Sequence, residues 1–238
     1  MRDISGMVKK EIRRYSDMEK SVVLRRFFKT GKGEYGEGDK FLGVDVPTSR
    51  SVARMFFSES SLDDISDLLE SGFHEDRLTG LIMLVKKFER AEDKERKKIF
   101  YFYISHIDRV NSWDLVDLSA PNIVGEWLSD KDKDAIYVLA RSGNIWKRRV
   151  AIVSTIAFIR RNDLHDVFSI SVMLLDDRED LIHKAVGWML REAGKRNEKA
   201  LLDFLDRHSR SMPRTALRYA IERLDEKRRK KILISSKK

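Results

Sequence analysis

Cysteine is absent from the 238-residue chain, and several kinds of site are excluded with it. A disulfide scaffold, a thiolate nucleophile and a zinc or iron–sulfur centre held by cysteine all need a side chain that this sequence lacks. The five histidines show no H-x-x-x-H or H-E-x-x-H spacing; they are His74, His106, His165, His183 and His208. We therefore expect no metal site and no cofactor, and we expect the histidines to be solvated or to lie at the edge of the core.

Long apolar runs are also missing. No stretch approaches the ~18 consecutive apolar residues that a membrane-spanning helix requires, and the N-terminus has no signal-type apolar segment. The chain is 42% hydrophobic, which is enough to supply a sizeable core. These features predict a soluble globular protein of the cytoplasm.

Acidic residues are fewer than basic ones. The chain has 48 Lys and Arg against 39 Asp and Glu, which gives a formal net charge of +9 and a pI near 9.6. An excess of positive charge favours a polyanionic partner, and nucleic acid is the first candidate. Many basic proteins bind no nucleic acid, so the charge alone identifies no function.

Proline is rare, and glycine is concentrated in one segment. The only prolines are Pro47, Pro121 and Pro213, and apolar residues recur at intervals of three and four over most of the length, which is helical spacing. Residues 31–46 are glycine-rich, and residues 31–36, GKGEYG, match G-x-G-x-x-G. That fingerprint binds dinucleotides only between a strand and a helix, whereas here a helix precedes it and a loop follows. We predict a mobile loop, or one whose exposed amides contact phosphate.

Similar segments recur in the second half of the chain. Aligning them places Ala151, Ala185 and Ala216 in register, 34 and then 31 residues apart. This period is shorter than the ~40 to 47 residues of HEAT or armadillo units, and the signature of the tetratricopeptide repeat is absent. We therefore predict an all-α fold, in which residues 1–238 form a single domain. The expected architecture is a superhelical solenoid of divergent HEAT-like repeats with a concave basic face.

Residues 111–117, NSWDLVD, place an aromatic ring and a carboxylate on one helix face. Trp113 and Asp117 are four residues apart, so their side chains lie one turn above each other. An indole face attracts a cation by about 0.5 to 2 kcal/mol, and a carboxylate adds a full opposite charge. The pair therefore suits a cationic ligand. A core tryptophan beside a surface acid would give the same pattern, so the pair gains weight only from other features of the chain.

Cations cluster with tryptophans in the repeat region. Basic residues at corresponding positions of stacked repeats would follow a phosphate backbone, and tryptophan faces would contact bases or a cationic adduct. The candidate DNA-binding cations are Lys147, Arg148, Arg149, Lys184, Arg191, Arg214 and Arg218. The run 147–149 equally fits a solvated helix face. Trp146, with its apolar neighbours, is expected to pack in the core.

Four short motifs occur in an order that is found in a known family. They are residues 43–47 (GVDVP), 111–117 (NSWDLVD), 144–151 (NIWKRRVA) and 184–192 (KAVGWMLRE). With these motifs the chain resembles the AlkD-type DNA alkylation repair glycosylases over nearly its whole length. The resemblance implies a HEAT-like all-helical fold and the removal of alkylpurines that carry positive charge, such as those alkylated at N3 or N7.

The resemblance also implies roles for single residues. Asp117 matches the catalytic aspartate of the family, Trp113 and Trp188 match its two active-site tryptophans, and Arg149 matches its DNA-contacting arginine. Where the family often has a tyrosine this chain has Phe27, which stays a candidate nucleotide contact without the hydroxyl. The glycine-rich insertion also differs from the shorter loop of the best-known members.

The implied activity is that of a monofunctional glycosylase acting as a monomer on double-stranded DNA, associated with the nucleoid when bound. A cationic purine is a good leaving group, so one carboxylate is sufficient, and neither a second acid nor a lysine nucleophile is required. Two alternatives stay open on the same fold. One is a non-catalytic protein that binds DNA structure, and the other is a HEAT-type scaffold for protein interactions.

Overall fold

The regular structure of the chain is helical. A computed structural model describes residues 2–236, and within that range the only β-type pairing is an isolated bridge between Lys40 and Phe73. The predicted all-α fold class is therefore confirmed. The chain divides into two compact units, of which unit 1 ends at Ile123 and unit 2 begins at Val124.

Unit 1 contains seven labelled helices and one short 3-10 turn at Ile107–Arg109. The helices are α1 (Ile4–Arg13), α2 (Met18–Phe27), α3 (Val46–Phe56), α4 (Leu62–Leu69), α5 (His74–Arg90), α6 (Asp93–Ser105) and α7 (Trp113–Ala120). A π-helical turn, Pro121–Gly125, follows α7.

Side chains at the helix starts explain several of these boundaries. The carboxylates of Asp17 and Asp45 each accept a hydrogen bond from a backbone N–H three residues further on, at the starts of α2 and α3. Pro47 lies in the first turn of α3, where its missing N–H costs nothing. The spacing of Ser61 and Asp64 in the sequence predicts a capping box, and the two residues form it at the start of α4.

Helix α5 is the centre of unit 1. Helices α1, α3, α4, α6 and α7 all pack against it. Leu81, Met83 and Leu84 in its middle are fully buried. The other helices of the unit therefore take their positions from α5.

Helix α2, in contrast, buries none of its side chains. Met18, Val23 and Phe27 are exposed large hydrophobic residues. The helix is held in part by the hydroxyl of Ser21, which donates to the carbonyl of Phe41 at 2.7 Å. It thus presents apolar and aromatic groups at the surface of unit 1.

The glycine-rich segment between α2 and α3 is irregular, as predicted. The carboxylate of Glu34 accepts a hydrogen bond from the N–H of Gly31, and that of Glu37 accepts one from the N–H of Gly33, both at 2.8 Å. The chain's own carboxylates thus occupy two amides that the sequence offers to a phosphate. A phosphate contact there requires these bonds to break.

Unit 2 contains the remaining labelled helices, several of them short. They are α8 (Glu126–Leu128), α9 (Asp134–Ala140), α10 (Ile145–Ser154), α11 (Ile156–Arg160), α12 (His165–Met173), α13 (Asp180–Arg196), α14 (Glu198–His208), α15 (Arg214–Ala220) and α16 (Glu226–Ser235). Helix α13 is their centre, since α10, α11, α12, α14 and α15 pack against it.

The alanines that define the repeat lie on packed neighbours. Ala151 is on α10, Ala185 on α13 and Ala216 on α15, and all three are buried. Because α10 packs on α13 and α13 on α15, the recurring small residue marks where one helix lies against the next. The helical-repeat prediction is supported by this packing.

The spacing of apolar residues predicts one helix over residues 145–161 with Asn144 as its cap, but the structure divides that helix in two. Asn144 caps α10 as expected, since its side chain accepts hydrogen bonds from the N–H groups of Trp146 and Lys147. The helix predicted for residues 145–161 is interrupted at Thr155, whose hydroxyl donates to the carbonyl of Ile152 at 2.6 Å. Such a bond to the preceding turn competes with helical pairing. Trp146 is buried, as predicted.

No helix within residues 2–236 is both long enough and apolar enough to cross a membrane.

Gly43 generates the first testable prediction. Its φ is +85°, and a Cβ placed there would lie 2.0 Å from the carbonyl oxygen of Asp17. Gly43→Ala should therefore lower the free energy of unfolding by about 2 to 5 kcal/mol, from left-handed strain and overpacking together. Urea unfolding followed by circular dichroism measures the loss.

Gly33→Ala is the matched control. Gly33 also has a positive φ, +78°, but an added Cβ would meet nothing within 4 Å. Only the conformational cost of about 1 to 2 kcal/mol remains. Equal losses in the two variants would show that the close approach of Gly43 to Asp17 has no energetic weight.

Candidate active site and nucleic-acid interface

Helix α7 begins at the candidate catalytic pair. Trp113 is its first residue and Asp117 lies one turn later, and both side chains are half-buried. The predicted placement on one helix face is therefore found in unit 1.

Trp113 rests on a column of stacked rings. Its ring lies 5.2 Å from that of Phe28 at an interplanar angle of 11°. Phe28 stacks on Phe41 at 4.9 Å, and Phe41 stacks on His74 at 4.5 Å. Phe27 meets Trp113 edge to face at 5.9 Å. The indole thus has a fixed orientation, and the predicted contact residue Phe27 lies directly beside it.

His74, at the base of this column, is buried between two carboxylates. Its Nδ1 lies 2.9 Å from Oδ2 of Asp39, and its Nε2 lies 2.8 Å from Oδ2 of Asp114. Burial by itself would lower the pKa of His74, but the charges and hydrogen bonds of Asp114 and Asp39 outweigh it and raise that pKa to about 9. The imidazole is therefore a buried cation at neutral pH.

Asp39 extends this charged network into the glycine-rich segment. Its Oδ1 accepts a hydrogen bond from Arg77 at 2.7 Å. Burial opposes ionisation, yet the hydrogen bond from His74 and the charge of Arg77 hold the pKa of Asp39 below its usual value. The end of the loop is thereby fixed to α5.

The whole first turn of α5, residues 74–77 (HEDR), is polar and buried. None of its four residues is more than 4% exposed. The carboxylate of Glu75 accepts hydrogen bonds from the N–H groups of Leu42, Gly43 and Val44 at 2.8 to 3.2 Å. Glu75 thus holds the backbone that leads into α3.

Asp76 and Arg77 complete this turn. Arg13 of α1 donates to both oxygens of Asp76, at 3.2 and 2.9 Å, and the hydroxyl of Ser71 donates at 2.7 Å. Arg77 donates to Asp39 and to the carbonyl of Ser71. The start of α5 therefore joins α1, the glycine-rich segment and, through His74 and Asp114, the first turn of α7.

The hydroxyl groups of Tyr103 and Ser119 form a buried pair, and the charge of Asp117 acts on Tyr103. Tyr103 is fully buried, and its hydroxyl lies 3.0 Å from Oγ of Ser119. Burial raises the pKa of Tyr103, a hydrogen bond with Ser119 opposes this, and the charge of Asp117 raises it further. Tyr103 is therefore neutral at physiological pH.

A cleft of about 470 Å³ lies beside the aromatic column in unit 1. Its lining includes Phe28 and Phe41, apolar residues of α2, α3 and α5, and the His74–Asp114 pair. Apolar walls of this kind suit an apolar or aromatic group better than a phosphate.

Most of the predicted DNA-binding cations of unit 2 are engaged within the chain. Arg148 binds Asp177 at 2.6 Å, and Arg149 is buried and donates to the carbonyl of Leu181 at 2.6 Å. Such contacts fix the orientation of a guanidinium, and they leave fewer of its N–H groups to donate to DNA.

Three of the remaining predicted cations also have partners within the chain. Lys184 pairs with Asp180 at 2.7 Å. Arg191 pairs with Glu222, and Arg214 donates to Oγ of Ser236 at 2.8 Å. Lys147 is half-buried, and Arg218 is exposed. None of these placements tests DNA binding, so the role of each cation stays a prediction.

Trp188 lies on α13 and is half-buried. It lines a separate cleft of about 490 Å³ in unit 2. Among residues 2–236, no group of three or more His, Asp or Glu side chains is arranged to hold a metal ion.

A family model matches residues 8–224 of the chain, and its description is DNA alkylation repair enzyme. The chain belongs to this family. Membership in the DNA alkylation repair enzyme family assigns the chain a role in DNA repair, with DNA as its partner. No curated protein matches the chain.

Two solved structures share the fold of this DNA alkylation repair family member. One is described as a predicted DNA alkylation repair enzyme from Enterococcus faecalis; it has a TM-score of 0.68 and 15% identity, and the match covers 89% of this chain and 97% of that one. The other is smu.31 from Streptococcus mutans UA159, with a TM-score of 0.52, 15% identity, and coverage of 93% and 100%. At this identity the likeness concerns the fold alone.

Sequence reasoning missed the charged network beneath Trp113 in this family member. His74 was expected to be solvated or at the core edge, whereas it is buried between Asp39 and Asp114. A signal was available, since HEDR stands directly before the apolar stripe of α5. Four consecutive polar residues at the start of a central helix must find partners from elsewhere if they are buried.

The titration of His74 gives the second prediction. Its pKa rises from 6.5 in the unfolded chain to about 9 in the folded one. The associated stability is complete below pH 6.5 and is lost as the pH rises through 9, by on the order of 3 kcal/mol. In His74→Gln this loss should disappear, and the protein should be less stable than the wild type at pH 6. Urea unfolding between pH 6 and 9.5 measures both effects.

His165→Gln is the control, because the side chain of His165 is 81% exposed. This variant should keep the pH dependence of the wild type. A wild-type pH dependence in His74→Gln would show that the buried imidazolium is not its source.

Proposed function

We propose that this protein is a monofunctional DNA glycosylase that excises cationic N3- and N7-alkylated purines from double-stranded DNA. The observation that carries the proposal is the pair of Trp113 and Asp117 on α7, in a chain of the DNA alkylation repair enzyme family. A repair role places the protein with the DNA of the cell, and we propose a cytoplasmic, nucleoid-associated location.

The reaction is hydrolysis of the N-glycosidic bond. Alkylation at N3 or N7 makes the purine a cation, and the bonding electron pair leaves with the base and neutralises it. The sugar becomes an oxocarbenium-like cation, water adds to C1′, and one proton of that water is lost. The products are a free alkylpurine and an abasic site, and no group on the protein must protonate the base.

Asp117 supplies the charge for this step. A carboxylate beside C1′ stabilises the positive charge that develops on the sugar and orients the attacking water. Asp117 is half-buried, and a carboxylate that is partly removed from solvent acts through a lower effective dielectric than an exposed one. This supports Asp117 over exposed acids of the chain.

Trp113 supplies an aromatic face that is already oriented. Because its ring is stacked on Phe28 and contacted by the edge of Phe27, the indole loses little further freedom when it meets a cationic nucleotide. Phe27 is 62% exposed and is proposed to contact the same nucleotide. Trp188 is proposed to offer a second aromatic face to the DNA.

The two alternatives make different predictions. A non-catalytic DNA binder would hold alkylated duplexes without releasing a base, and a protein scaffold would bind DNA weakly. Family membership favours DNA over a protein partner. Release of free alkylpurine from methylated duplex DNA separates the glycosylase from both.

Asp117→Asn is expected to lose most excision activity while its fold and DNA affinity stay nearly unchanged. The variant keeps the shape of the side chain and removes its charge, which is expected to slow excision roughly 100- to 1000-fold. Single-turnover release of N7-methylguanine measures the rate.

Asp63→Asn is the matched control for this variant, because Asp63 is an exposed acid in the first turn of α4. It should excise at the wild-type rate. A near wild-type rate in Asp117→Asn would remove Asp117 from the mechanism.

Selectivity for charge is the next prediction. N7-methylguanine and N3-methyladenine should be released, whereas hypoxanthine, uracil and ethenoadenine should not, because neutral bases need a general acid. Trp113→Ala should slow release of the cationic bases by roughly 5- to 30-fold, as expected for loss of a cation–π contact. Trp188→Ala is measured in the same way.

Matched duplexes that carry one lesion each provide the comparison. Tyr101→Ala is the control, since Tyr101 is an exposed aromatic residue on α6. Comparable excision of hypoxanthine would refute the charge-based mechanism. Full activity in both tryptophan variants would refute the aromatic contacts while leaving the enzymatic activity in place.

A further inference from the structure

The cleft beside Trp188 in unit 2 combines an apolar floor with a charged rim. It has a volume of about 490 Å³. The lining residues are Ile156, Ile159, Arg160, Trp188, Glu192, Lys195 and Arg196. Arg160 is the last residue of α11 and Arg196 the last of α13. Neither arginine was among the cations that the sequence indicated for DNA binding.

Each of these two arginines has a cationic neighbour that is already engaged. Arg161 forms an ion pair with Glu126 at 2.6 Å, and Lys195 contacts both oxygens of Glu192 at 2.7 and 2.8 Å. Within residues 2–236, the side chains of Arg160 and Arg196 make neither a hydrogen bond nor an ion pair, and both residues are exposed. The two free guanidinium groups therefore face solvent at the cleft.

The balance of charge in the cleft is positive. Glu192 is the one acid of the lining, and Lys195 offsets its charge at hydrogen-bonding distance. Arg160 and Arg196 remain uncompensated by a carboxylate of the described chain. An unpaired guanidinium is a strong ligand for phosphate oxygens, because its planar donors match their geometry and it is weakly hydrated.

The floor of the cleft is suited to the other parts of a nucleotide. Ile156 and Ile159 are buried beneath it, and Trp188 is half-buried, so part of the indole is accessible. Aromatic faces stack with any base and pack against sugars, without regard to sequence. The cleft is large enough for one nucleotide, because cavities of a few hundred Å³ hold ligands of that size.

We propose that this cleft binds a nucleotide of the DNA backbone, with Arg160 and Arg196 holding phosphate and Trp188 contacting the sugar or base. The inference rests on the proposed function only in that DNA is the partner. It assigns the phosphate contacts of α11 and α13 to the two unpaired arginines, in contrast to Arg148 and Arg191, which bind carboxylates of the chain.

Salt dependence of binding tests this site without any excision. The full chain and its variants are titrated against a fluorescent, unmodified duplex at several salt concentrations. Arg160→Ala and Arg196→Ala should each weaken binding and reduce the slope of log K against log salt by about 0.9, and the double variant by about 1.8. Arg160→Lys and Arg196→Lys keep the charge and should keep the slope. Trp188→Ala should weaken binding with an unchanged slope, because it removes a contact that carries no charge.

Arg210→Ala is the matched control, because Arg210 is an exposed arginine of unit 2 that does not line the cleft. It should leave both affinity and slope at wild-type values. Circular dichroism and thermal unfolding confirm that each variant is folded. An unchanged slope in the double variant, or an equal reduction in Arg210→Ala, would overturn the proposal, as would polyglutamate binding at the affinity of DNA.

The outcome is separable from that of the proposed function. If the double variant shows the expected reduction in slope and the wild type releases no alkylpurine, the nucleotide site is supported and the glycosylase proposal is refuted. If the wild type releases alkylpurine and the slope is unchanged in the double variant, the glycosylase proposal is supported and the nucleotide site is refuted.

Discussion

The four buried polar side chains that begin α5 are the constraint on which unit 1 depends. His74, Glu75, Asp76 and Arg77 lie at the N-terminus of the central helix, where burial without partners would cost several kcal/mol per charge. Each finds its partner in a segment distant in sequence. Satisfying them therefore determines where α1, the glycine-rich segment and α7 lie, and with α7 the position of Trp113.

Such a network specifies an arrangement more than it adds stability. The attraction within a buried ion pair is largely offset by the cost of removing both charges from water, but removal of one partner leaves the other uncompensated. The carboxylates of Asp39 and Asp114 flank the cationic imidazole of His74, and Asp39 also pairs with the guanidinium of Arg77, so the charges along this network alternate in sign. A displaced loop or a rotated α7 would leave like charges together or one charge alone, so those alternatives are disfavoured.

Local patterns predicted much of the fold, because helices depend on neighbours in sequence. The capping box at Ser61, the cap at Asn144 and the spacing of Trp113 and Asp117 all follow from positions a few residues apart. The partners of the α5 first turn could not be predicted in this way, because the bond between His74 and Asp114 joins residues 40 apart. For the same reason the sequence marked Arg148 as a DNA contact without indicating its bond to Asp177, 29 residues away.

Gly187, which has no side chain, determines how closely α13 and α15 pack in unit 2. A Cβ on Gly187 would lie 2.5 Å from the carbonyl oxygen of Ala216 and 2.5 Å from Cβ of Tyr219, so α13 and α15 approach each other at backbone contact. Gly187 directly precedes Trp188. A methyl group at position 187 would push α13 and α15 apart. The orientation of the indole is thus coupled to the spacing of a helix pair. A substitution at Gly187 would therefore change the proposed contact between Trp188 and a nucleotide from a position outside that contact.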